Sequence, residues 1–441
     1  MSTPRALASS VASILCALLA ASCAPTGKEA GTQNSGSDAG DGSATDGGEG
    51  SGTGGTDGDT GADGKGEDGG DGGGTDGGGG DGCRATAPNP DRDRVVLVSL
   101  PYDADGGPGD QWAVWRLGRD GGLIDTGERL RAGRATGGRV HFTPDGSLAM
   151  AAQEDGTIAV FAIDADGSVR VIDPGWDDEI YAGTLSMHPS GERAWLLNES
   201  WPESGGGAFS VAIDCETGAL RRDTAQFVTK NASAMVHIGP DRAVVAGRLV
   251  AGGPPSDEVA VVDLATLSSV TTADPFGDDD AIMSDVAATP ANGGLLVMAA
   301  DNNLFSDRSN RVGVMTLRGD SLTVGSPVAV EDPVSIVASP FGDAVLVASG
   351  YGDTAVVFRI QDDLDTPLVA AGAPAWVGRD PSLPGSAVVV QGGPNDGLIV
   401  LAEVDGLRRL RFVGDGTVED LGLVGFGGGL DAIPGAFGVQ P

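Results

Sequence analysis

Residues 138–173 have the sequence GRVHFTPDGSLAMAAQEDGTIAVFAIDADGSVRVID, and this stretch decides the fold. It contains four short segments rich in apolar residues, separated by three turns that each include Asp-Gly. Asp-Gly between such segments is a strong hairpin signal, because glycine accepts the positive φ that a tight turn requires. The stretch therefore predicts a four-stranded antiparallel sheet whose first strand ends at Pro144.

The proline that ends this first strand recurs along the chain. It follows a short apolar segment at Pro144, Pro189, Pro240, Pro290, Pro340, Pro394 and Pro434. The spacing is 40–54 residues, and a period of this length made only of short strands is typical of a β-propeller. Residues 386–422 repeat the layout of residues 138–173 almost step for step. We find no long helical periodicity after the N-terminal leader, so the predicted class is all-β.

The two ends of the repeat region predict how the ring closes. Residues 94–100 (RVVLVSL) have no proline-ended strand before them, and residues 429–435 (GLDAIPG) have no further strands after them. We expect both ends to share one blade, with the C-terminal strand innermost and residues 94–130 supplying the other three. Such closure removes exposed sheet edges and gives seven blades. Eight blades is the alternative, because residues 372–385 contain another proline-ended fragment (AWVGRDP).

Part of the repeat is shared with known propellers. Pro144-Asp145-Gly146 is followed by residues 158–164 (IAVFAID), and residues 258–263 (EVAVVD) have the same alternating pattern. Over about residues 94–435 the chain resembles the seven-bladed propellers of the YVTN/lactonase type. The resemblance implies the fold, and it transfers no catalytic residue.

Residues 1–22 have the pattern of a bacterial export signal. Arg5 is their only charged residue, and the apolar, small-residue core that follows is too short to be a stable membrane span. The segment ends Leu-Ala-Ala-Ser before Cys23, which resembles a lipoprotein signal-peptidase site and implies lipidation of Cys23. Ordinary cleavage that leaves Cys23 as a free thiol is the alternative.

The residue after this cysteine bears on where the protein goes. It is Ala24 and not aspartate, which resembles signals for sorting to the outer membrane. We therefore expect a protein of the bacterial cell envelope, attached to the membrane by a lipid anchor. The remaining boundaries are a lipidated cysteine with its linker over residues 23–82 and a propeller over residues 83–441.

Residues 24–82 form a linker of unusual composition. They include 25 glycines and 13 acidic residues but no Val, Ile, Leu or aromatic residue, so they cannot bury a core and should be disordered. The interpretation is an extended tether. A calcium site is the weaker alternative, because four carboxylates mimic part of an oxygen-ligand loop, and no cofactor is otherwise predicted. These carboxylates are Asp57, Asp59, Asp63 and Asp68.

The charge of the chain excludes some partners. The net charge is −36, of which the linker contributes −11 and Arg5 +1, which leaves −26 for residues 83–441. A domain this acidic is poorly suited to nucleic acid or to anionic lipid, so we expect no nucleic-acid partner.

Two cysteines remain once the signal and the lipid acceptor are set aside. Cys83 lies before the first strand of blade 1, and Cys215 lies in a turn between the third and fourth strands of blade 3. That kind of turn lies on the same face of a propeller as the turns between first and second strands. We therefore predict a Cys83–Cys215 disulfide in an oxidising compartment, which attaches the end of the linker to the ring.

The opposite face carries the longer loops, which combine aromatic and acidic residues. Aromatic anchors among charges favour binding, although solvated acidic loops with capping tryptophans would have the same composition. The candidate binding residues are Trp176, Asp177, Asp178, Glu179, Tyr181, Trp201, Asp278, Asp279, Asp280, Glu331, Asp332, Trp376 and Arg379. We expect a protein or glycan partner there.

All three histidines fall on predicted inner strands. His141, His188 and His237 come from adjacent blades and share strand parity, so their side chains should lie near the central channel. A zinc site needs ligands that converge at about 2 Å on one ion, which the separation between blades makes strained. Channel-lining histidines are the favoured interpretation, and a metal site is the weaker one.

Two function classes follow from these features. The favoured one is an envelope lipoprotein whose propeller is a non-enzymatic binding or scaffolding module. The alternative is a lactonase-like or metal-assisted hydrolase that uses acidic loop residues at the channel mouth. No catalytic residue can be assigned from the sequence.

Overall fold

The computed structural model describes Cys83 and most of residues 92–441. The residues that it does not describe are 1–82, 84–91, 199–206, 228–231, 248–258, 278–280, 292, 303–309, 351–353, 364–365, 372–375 and 378–386. The predictions for the export signal, Cys23 and the linker therefore lie outside the described residues. So do those for Trp201, Arg379 and the three consecutive aspartates Asp278, Asp279 and Asp280.

Thirty strands form in the described part of the chain. Blades 1 to 3 contain β1 (Arg94–Tyr102), β2 (Pro108–Leu117), β3 (Leu123–Arg131), β4 (His141–Phe142), β5 (Leu148–Ala152), β6 (Ile158–Ile163), β7 (Val169–Trp176), β8 (Thr184–Met187), β9 (Arg193–Asn198), β10 (Gly207–Ile213) and β11 (Leu220–Phe227). Blades 4 and 5 contain β12 (Ala232–His237), β13 (Arg242–Gly247), β14 (Val259–Asp263), β15 (Ser268–Ala273), β16 (Met283–Ala291), β17 (Gly294–Asp301), β18 (Arg311–Arg318), β19 (Ser321–Val324) and β20 (Val328–Ala329). Blades 6 and 7 contain β21 (Pro333–Ala338), β22 (Ala344–Ser349), β23 (Thr354–Ile360), β24 (Leu368–Ala370), β25 (Trp376–Val377), β26 (Ala387–Val389), β27 (Leu398–Glu403), β28 (Gly406–Phe412) and β29 (Val418–Gly425), and the last strand, β30 (Phe437–Val439), joins blade 1.

The strands form seven antiparallel sheets within the described residues, and consecutive strands pair in each. This confirms the seven-bladed propeller. The turns form as the Asp-Gly pattern predicts: Gly146, Gly156 and Gly167 of blade 2 have φ of 70°, 87° and 83°. Among the described residues, two 3-10 helices, Gly393–Asn395 and Leu430–Ala432, interrupt the loops. The described residues include no helix that is both long and apolar enough to cross a membrane.

The ring closes in blade 1, as predicted, by strands from both ends of the chain. The strand order there is β3-β2-β1-β30, so the C-terminal strand is innermost. The predicted position of that strand was wrong, however. Residues 429–435 form an irregular segment with a 3-10 helix, and β30 begins three residues after Pro434. Since proline lacks a backbone N–H for the ladder, it stands before this strand and not within it.

The eight-bladed alternative is wrong. The fragment that suggested it includes Trp376 and Val377, which form β25 and pair with Ala355 and Thr354 of β23. This short strand therefore lies at the outer edge of blade 6. Blade 5 has a similar addition, since β20 pairs with β18 beyond the end of β19.

The core consists of one apolar cluster at each of the seven junctions between neighbouring blades in the described residues. Trp112 of blade 1 and Phe161 of blade 2 are both fully buried, with ring centroids 4.9 Å apart. Each sheet is thus covered on both faces, which explains the nearly continuous apolar strands of the sequence.

The predicted disulfide between Cys83 and Cys215 is confirmed, with a Cα–Cα distance of 5.2 Å. Cys83 is fully buried. It lies beside Pro144 and Gly191, which belong to the turns between the first and second strands of blades 2 and 3. We call this side of the ring the proline-turn face. The opposite side, where blades connect to one another and second strands turn into third strands, is the long-loop face.

Candidate functional site

A buried polar residue at the end of the second strand recurs on the long-loop face. Gln153 donates through Nε2 to the carbonyl of Pro174 at 2.8 Å. Asp301 accepts from the backbone N–H of Ile282 at 2.9 Å, and Ser349 donates to the carbonyl of Glu331. Glu403, at the same place in blade 7, instead pairs with Arg408 of the next strand. The other three side chains satisfy the backbone of the loops between blades, so they fix these loops.

One part of the long-loop face is a rim over blades 1 to 3. Tyr181 is 43 % exposed, and its hydroxyl donates to the carbonyl of Glu154 at 2.9 Å. The carboxylate of Glu154 forms an ion pair with Arg134 at 2.6 Å. Asp177 and Glu179 are exposed beside the tyrosine, and Glu179 has φ of 60°. We call Glu154, Asp177, Glu179 and Tyr181 the tyrosine rim.

Arg134 supports this rim from beneath. Its guanidinium lies over the ring of Tyr102 at 5.2 Å, and its Nε donates to the carbonyl of Pro101 at 2.9 Å. Burial raises the pKa of Tyr102 above its usual value, so this ring is neutral near pH 7. The rim is therefore preorganised before any partner arrives, which lowers the entropy lost on binding.

The other candidates on this loop take part in the packing. Trp176 is half-buried and packs against the apolar cluster between blades 2 and 3. Asp178 forms an ion pair with Arg222 at 3.4 Å. Only part of the predicted set from this loop is thus exposed, because alternate residues of the loop point toward the blades.

The acidic pair in the connection to blade 6 is also partly engaged. Glu331 is exposed, whereas Asp332 accepts a hydrogen bond from Nδ2 of Asn310 at 2.7 Å and has φ of 41°. Of Trp376 the structure describes the backbone only. The described candidates belong to separate connections between blades.

An ion pair that no sequence pattern predicted lies at the axis. Arg139 lies before β4 in blade 2 and pairs with Asp285 of blade 5 at 2.5 Å. Its Nη2 also donates to Oγ of Ser335 in blade 6 at 3.0 Å, and its Nε donates to the carbonyl of Ala387 in blade 7 at 3.2 Å. A single side chain thus crosses the channel. We call it, with Asp285, the axial pair.

Asp285 is fully engaged at this point. It is 6 % exposed and accepts from the backbone N–H groups of Val286 at 2.9 Å and Ile336 at 2.8 Å. The one sequence signal for the axial pair was the presence of an arginine and an aspartate in or beside inner-strand positions. Their partnership could not be seen, because it joins blades far apart in sequence.

The three histidines line the channel on the proline-turn side of the axial pair. Nε2 of His188 lies 2.6 Å from the carbonyl of Pro240, which fixes the proton there, and Nδ1 accepts from Ser190 at 2.8 Å. The rings of His188 and His237 are 5.2 Å apart and nearly perpendicular. No group of three or more His, Cys, Asp or Glu side chains in the described residues has the geometry of a metal site.

The pKa values of two of these histidines are strongly lowered. Burial, assisted by Arg139 and His237, lowers the pKa of His141 to about 3. Burial and His188 lower the pKa of His237 to about 4. Both imidazoles are therefore neutral at physiological pH. They are unable to serve as cationic acids there, and they line the channel as uncharged groups.

These features define the protein as a seven-bladed β-propeller with a closed ring. Among solved structures it is similar to a putative 6-phosphogluconolactonase from Bacteroides uniformis, with 13 % identity, 79 % of this chain and 100 % of that chain covered, and a TM-score of 0.56. It is also similar to a periplasmic gluconolactonase from Pseudomonas aeruginosa, with 14 % identity, 79 % and 99 % of the chains covered, and a TM-score of 0.56. At such identities the likeness concerns the fold alone. No family model and no curated protein matches the chain.

A further solved propeller carries a different description. A hypothetical selenium-binding protein from Sulfolobus tokodaii shares 11 % identity with this chain, at 79 % and 93 % coverage and a TM-score of 0.56. The same architecture thus occurs in proteins described as hydrolases and as binding proteins. The fold therefore does not determine the function, which has to be inferred from the residues of the site.

Proposed function

We propose that this chain is a lipid-anchored protein of the bacterial envelope whose propeller is a non-enzymatic binding module. The observation that carries the proposal is the tyrosine rim, where an exposed aromatic ring is held rigidly among carboxylates. At the axis, by contrast, the charged groups bond to one another between blades. Rigid aromatic anchors on a stable scaffold are what binding surfaces use.

The tether is the second part of this proposal. The export-signal pattern and the sequence before Cys23 support lipidation, and the Gly- and Asp-rich composition of the linker supports an extended spacer. Labelling cells with radioactive palmitate is expected to mark the wild-type chain and not Cys23→Ser. Equal labelling of both would contradict the anchor.

The rim indicates the chemistry of the partner. Asp177 and Glu179 are exposed around Tyr181, and the chain from Cys83 onward carries a net charge of −26. A basic protein surface, or a glycan that stacks on the aromatic ring, is complementary to such a surface. Nucleic acid is not.

The test of binding uses two exposed aromatic residues on opposite faces. Tyr181 is 43 % exposed, and Phe341, on the proline-turn face, is 49 % exposed. Envelope extracts are passed over the immobilised full-length protein, and the retained protein and glycan fractions are measured. Tyr181→Ala is expected to lose at least tenfold of the specific capture, whereas Phe341→Ala should retain it. Equal capture by both variants would contradict the role of the rim.

A lactone hydrolase is the second candidate, favoured by the gluconolactonase descriptions of two similar propellers. A panel of sugar lactones incubated with the full-length protein, with and without divalent metal, separates the two candidates. The binding module is expected to give no turnover above the uncatalysed rate. Turnover above that rate would overturn the first proposal, and its loss in an Arg139→Met or Asp285→Asn variant that is still folded at the assay temperature would place the site at the channel.

A further inference from the structure

A cavity of about 310 Å³ lies where the ring closes. One wall is the sheet of blade 1, and the other is the segment that leads from β29 to the closing strand. We call it the seam pocket. The residues that matter to its chemistry are Gln111, Ala113, Asp125, Arg129, Phe426 and Asp431.

The blade wall brings its side chains to one face by strand register. Ala113 of β2 is paired with Arg129 of β3, and Gln111 of β2 is paired with Leu100 of β1. Residues directly opposite one another in antiparallel strands point to the same side of the sheet. The floor of the seam pocket is therefore apolar, at Leu100 and Ala113, and its outer edge is polar.

The second wall is held in place by stacking. The ring of Phe426 lies 4.5 Å from that of Trp115 at an interplanar angle of 19°, and its backbone N–H donates to the carbonyl of Asp405 at 2.9 Å. Trp115 is buried behind it. The aromatic part of this wall is thus fixed, so it offers a preformed surface to a ligand.

The polar groups differ in how far they are already engaged. Asp125 and Arg129 form a bidentate pair with N···O distances of 2.9 and 2.7 Å. The amide of Gln111 and the carboxylate of Asp431 make no hydrogen bond to any residue that the structure describes. Both line the pocket with free donors or acceptors.

We propose that the seam pocket binds a neutral monosaccharide or the terminal sugar of a glycan. Its volume is near the lower limit of about 300–1,000 Å³ for ligand pockets, which fits a single sugar ring. Sugar hydroxyls both donate and accept, so they match an amide, a carboxylate and a guanidinium set side by side. The C–H face of the ring would lie against Phe426 and Ala113. This inference does not rest on the proposed tether or on the tyrosine rim.

The charge of the pocket selects against other ligands of the same size. Two carboxylates face one guanidinium, and that guanidinium is already paired, which disfavours sugar phosphates and sugar acids. An amine is the competing class, because Asp431 has no protein partner among the described residues. The test therefore includes both classes.

The experiment titrates the full-length protein with glucose, galactose, mannose and N-acetylglucosamine, and separately with glucosamine and glucose 6-phosphate. Calorimetry gives the affinity, and the melting temperature gives an independent signal, since a ligand that bridges the two walls stabilises the closed ring. At least one neutral sugar is expected to bind and to raise the melting temperature. Gln111→Ala and Asp431→Asn should each weaken it at least tenfold.

The control is Glu419→Gln, an exposed carboxylate on the outer strand of blade 7, which should bind like the wild type. All three substitutions are at solvent-accessible side chains, so the melting temperature without ligand should be unchanged. Binding of neutral sugars that is equal in wild type and both pocket variants would overturn the proposal. So would no binding of any neutral sugar, or tighter binding of glucosamine or the phosphate.

Discussion

Arg139 is a single side chain that joins blade 2 to blades 5, 6 and 7 across the axis. The pair that it forms with Asp285 is largely buried, with side-chain exposures of 28 % and 9 %. Removing one partner of a buried pair leaves the other charge without compensation, which costs more than the pair itself contributes. The axial pair is therefore a tie between opposite sides of the ring.

Arg139→Met is expected to lower the free energy of unfolding by about 2–4 kcal/mol, because Asp285 remains buried without its cation. Urea unfolding followed by tryptophan fluorescence measures this change. Arg242→Met is the matched control, since Arg242 joins blades 4 and 5 through a 2.6 Å pair with Asp320 at the surface. Arg242→Met should lower the free energy of unfolding by less than about 1 kcal/mol. Equal losses in the two variants would contradict the role given to the axial pair.

The channel histidines make stability depend on pH. The folded pKa values of His141 and His237 are about 3 and about 4, below the usual value near 6.5. Below pH 6.5 the unfolded chain binds protons that the folded chain excludes, so stability is complete above that pH and falls as the pH is lowered. Each histidine contributes a slope of about 1.4 kcal/mol per pH unit in this range.

Unfolding at pH 7 and pH 5 tests this expectation, because most carboxylates remain ionised over that interval. The wild type should lose stability between the two values, and the His141→Asn, His237→Asn double variant should lose clearly less. An unchanged slope in the double variant would mean that other groups control the pH response.

At the scale of elements, the strands and tight turns were predictable because their signals are local. Asp-Gly turns and alternating apolar residues are contained within about ten residues, and blades 2 and 7 follow them closely. Pro434 was misplaced because the same Pro-Gly signal can end a strand or precede one. The position of the last strand is set by pairing with the edge of β1, which reaches Phe437–Val439 only.

The disulfide is the element-scale feature that the turn geometry predicted correctly. It closes a loop with a sequence separation of 132 residues. For a loop of this length the chain-entropy model gives a ceiling of about 5 kcal/mol. The two cysteines are close together because the turn that contains Cys215, between the third and fourth strands of blade 3, lies on the proline-turn face, where Cys83 also lies.

The free energy of unfolding of the Cys83→Ser, Cys215→Ser double variant is expected to be about 2–5 kcal/mol lower than that of the oxidised wild type. Urea unfolding with and without reductant measures it. Reductant should shift the midpoint of the wild type and leave the double variant unchanged. Labelling of the Cys83 and Cys215 thiols in the denatured, unreduced wild type, identified by peptide mapping, would contradict the bond.

At the scale of the whole molecule, stability depends on the last few residues. Phe437 is fully buried, and its carbonyl accepts from the N–H of Val140 at 2.9 Å. Gln440 donates to the carbonyl of Gly146 at 2.7 Å and accepts from the N–H of Val95 at 3.2 Å. Gly438 passes so close to Val140 that a Cβ would lie 2.2 Å from its carbonyl oxygen. The C-terminal segment thus joins blades 1 and 2.

Deleting residues 437–441 is expected to open the ring, expose the edge of β1 and cause aggregation. Size-exclusion chromatography and thermal melting measure the outcome. Removing the buried Phe437 side chain alone should lower the free energy of unfolding by about 3–5 kcal/mol, so the melting temperature should fall sharply. Deleting only Pro441, which is exposed, should change neither measurement. A monomeric, normally melting truncation would show that closure does not depend on this strand.

The sequence by itself determined the all-β class, the propeller architecture, the shared closing blade and the disulfide, and the structure then excluded the eight-bladed alternative. Those properties follow from local turn chemistry, from a period, and from the two faces that every propeller has. The tertiary structure alone decided the axial pair, the engagement of Trp176, Asp178 and Asp332, and the seam pocket. Each of these depends on side chains from distant segments meeting around a closed ring, and such meetings leave no periodic or local trace in the sequence.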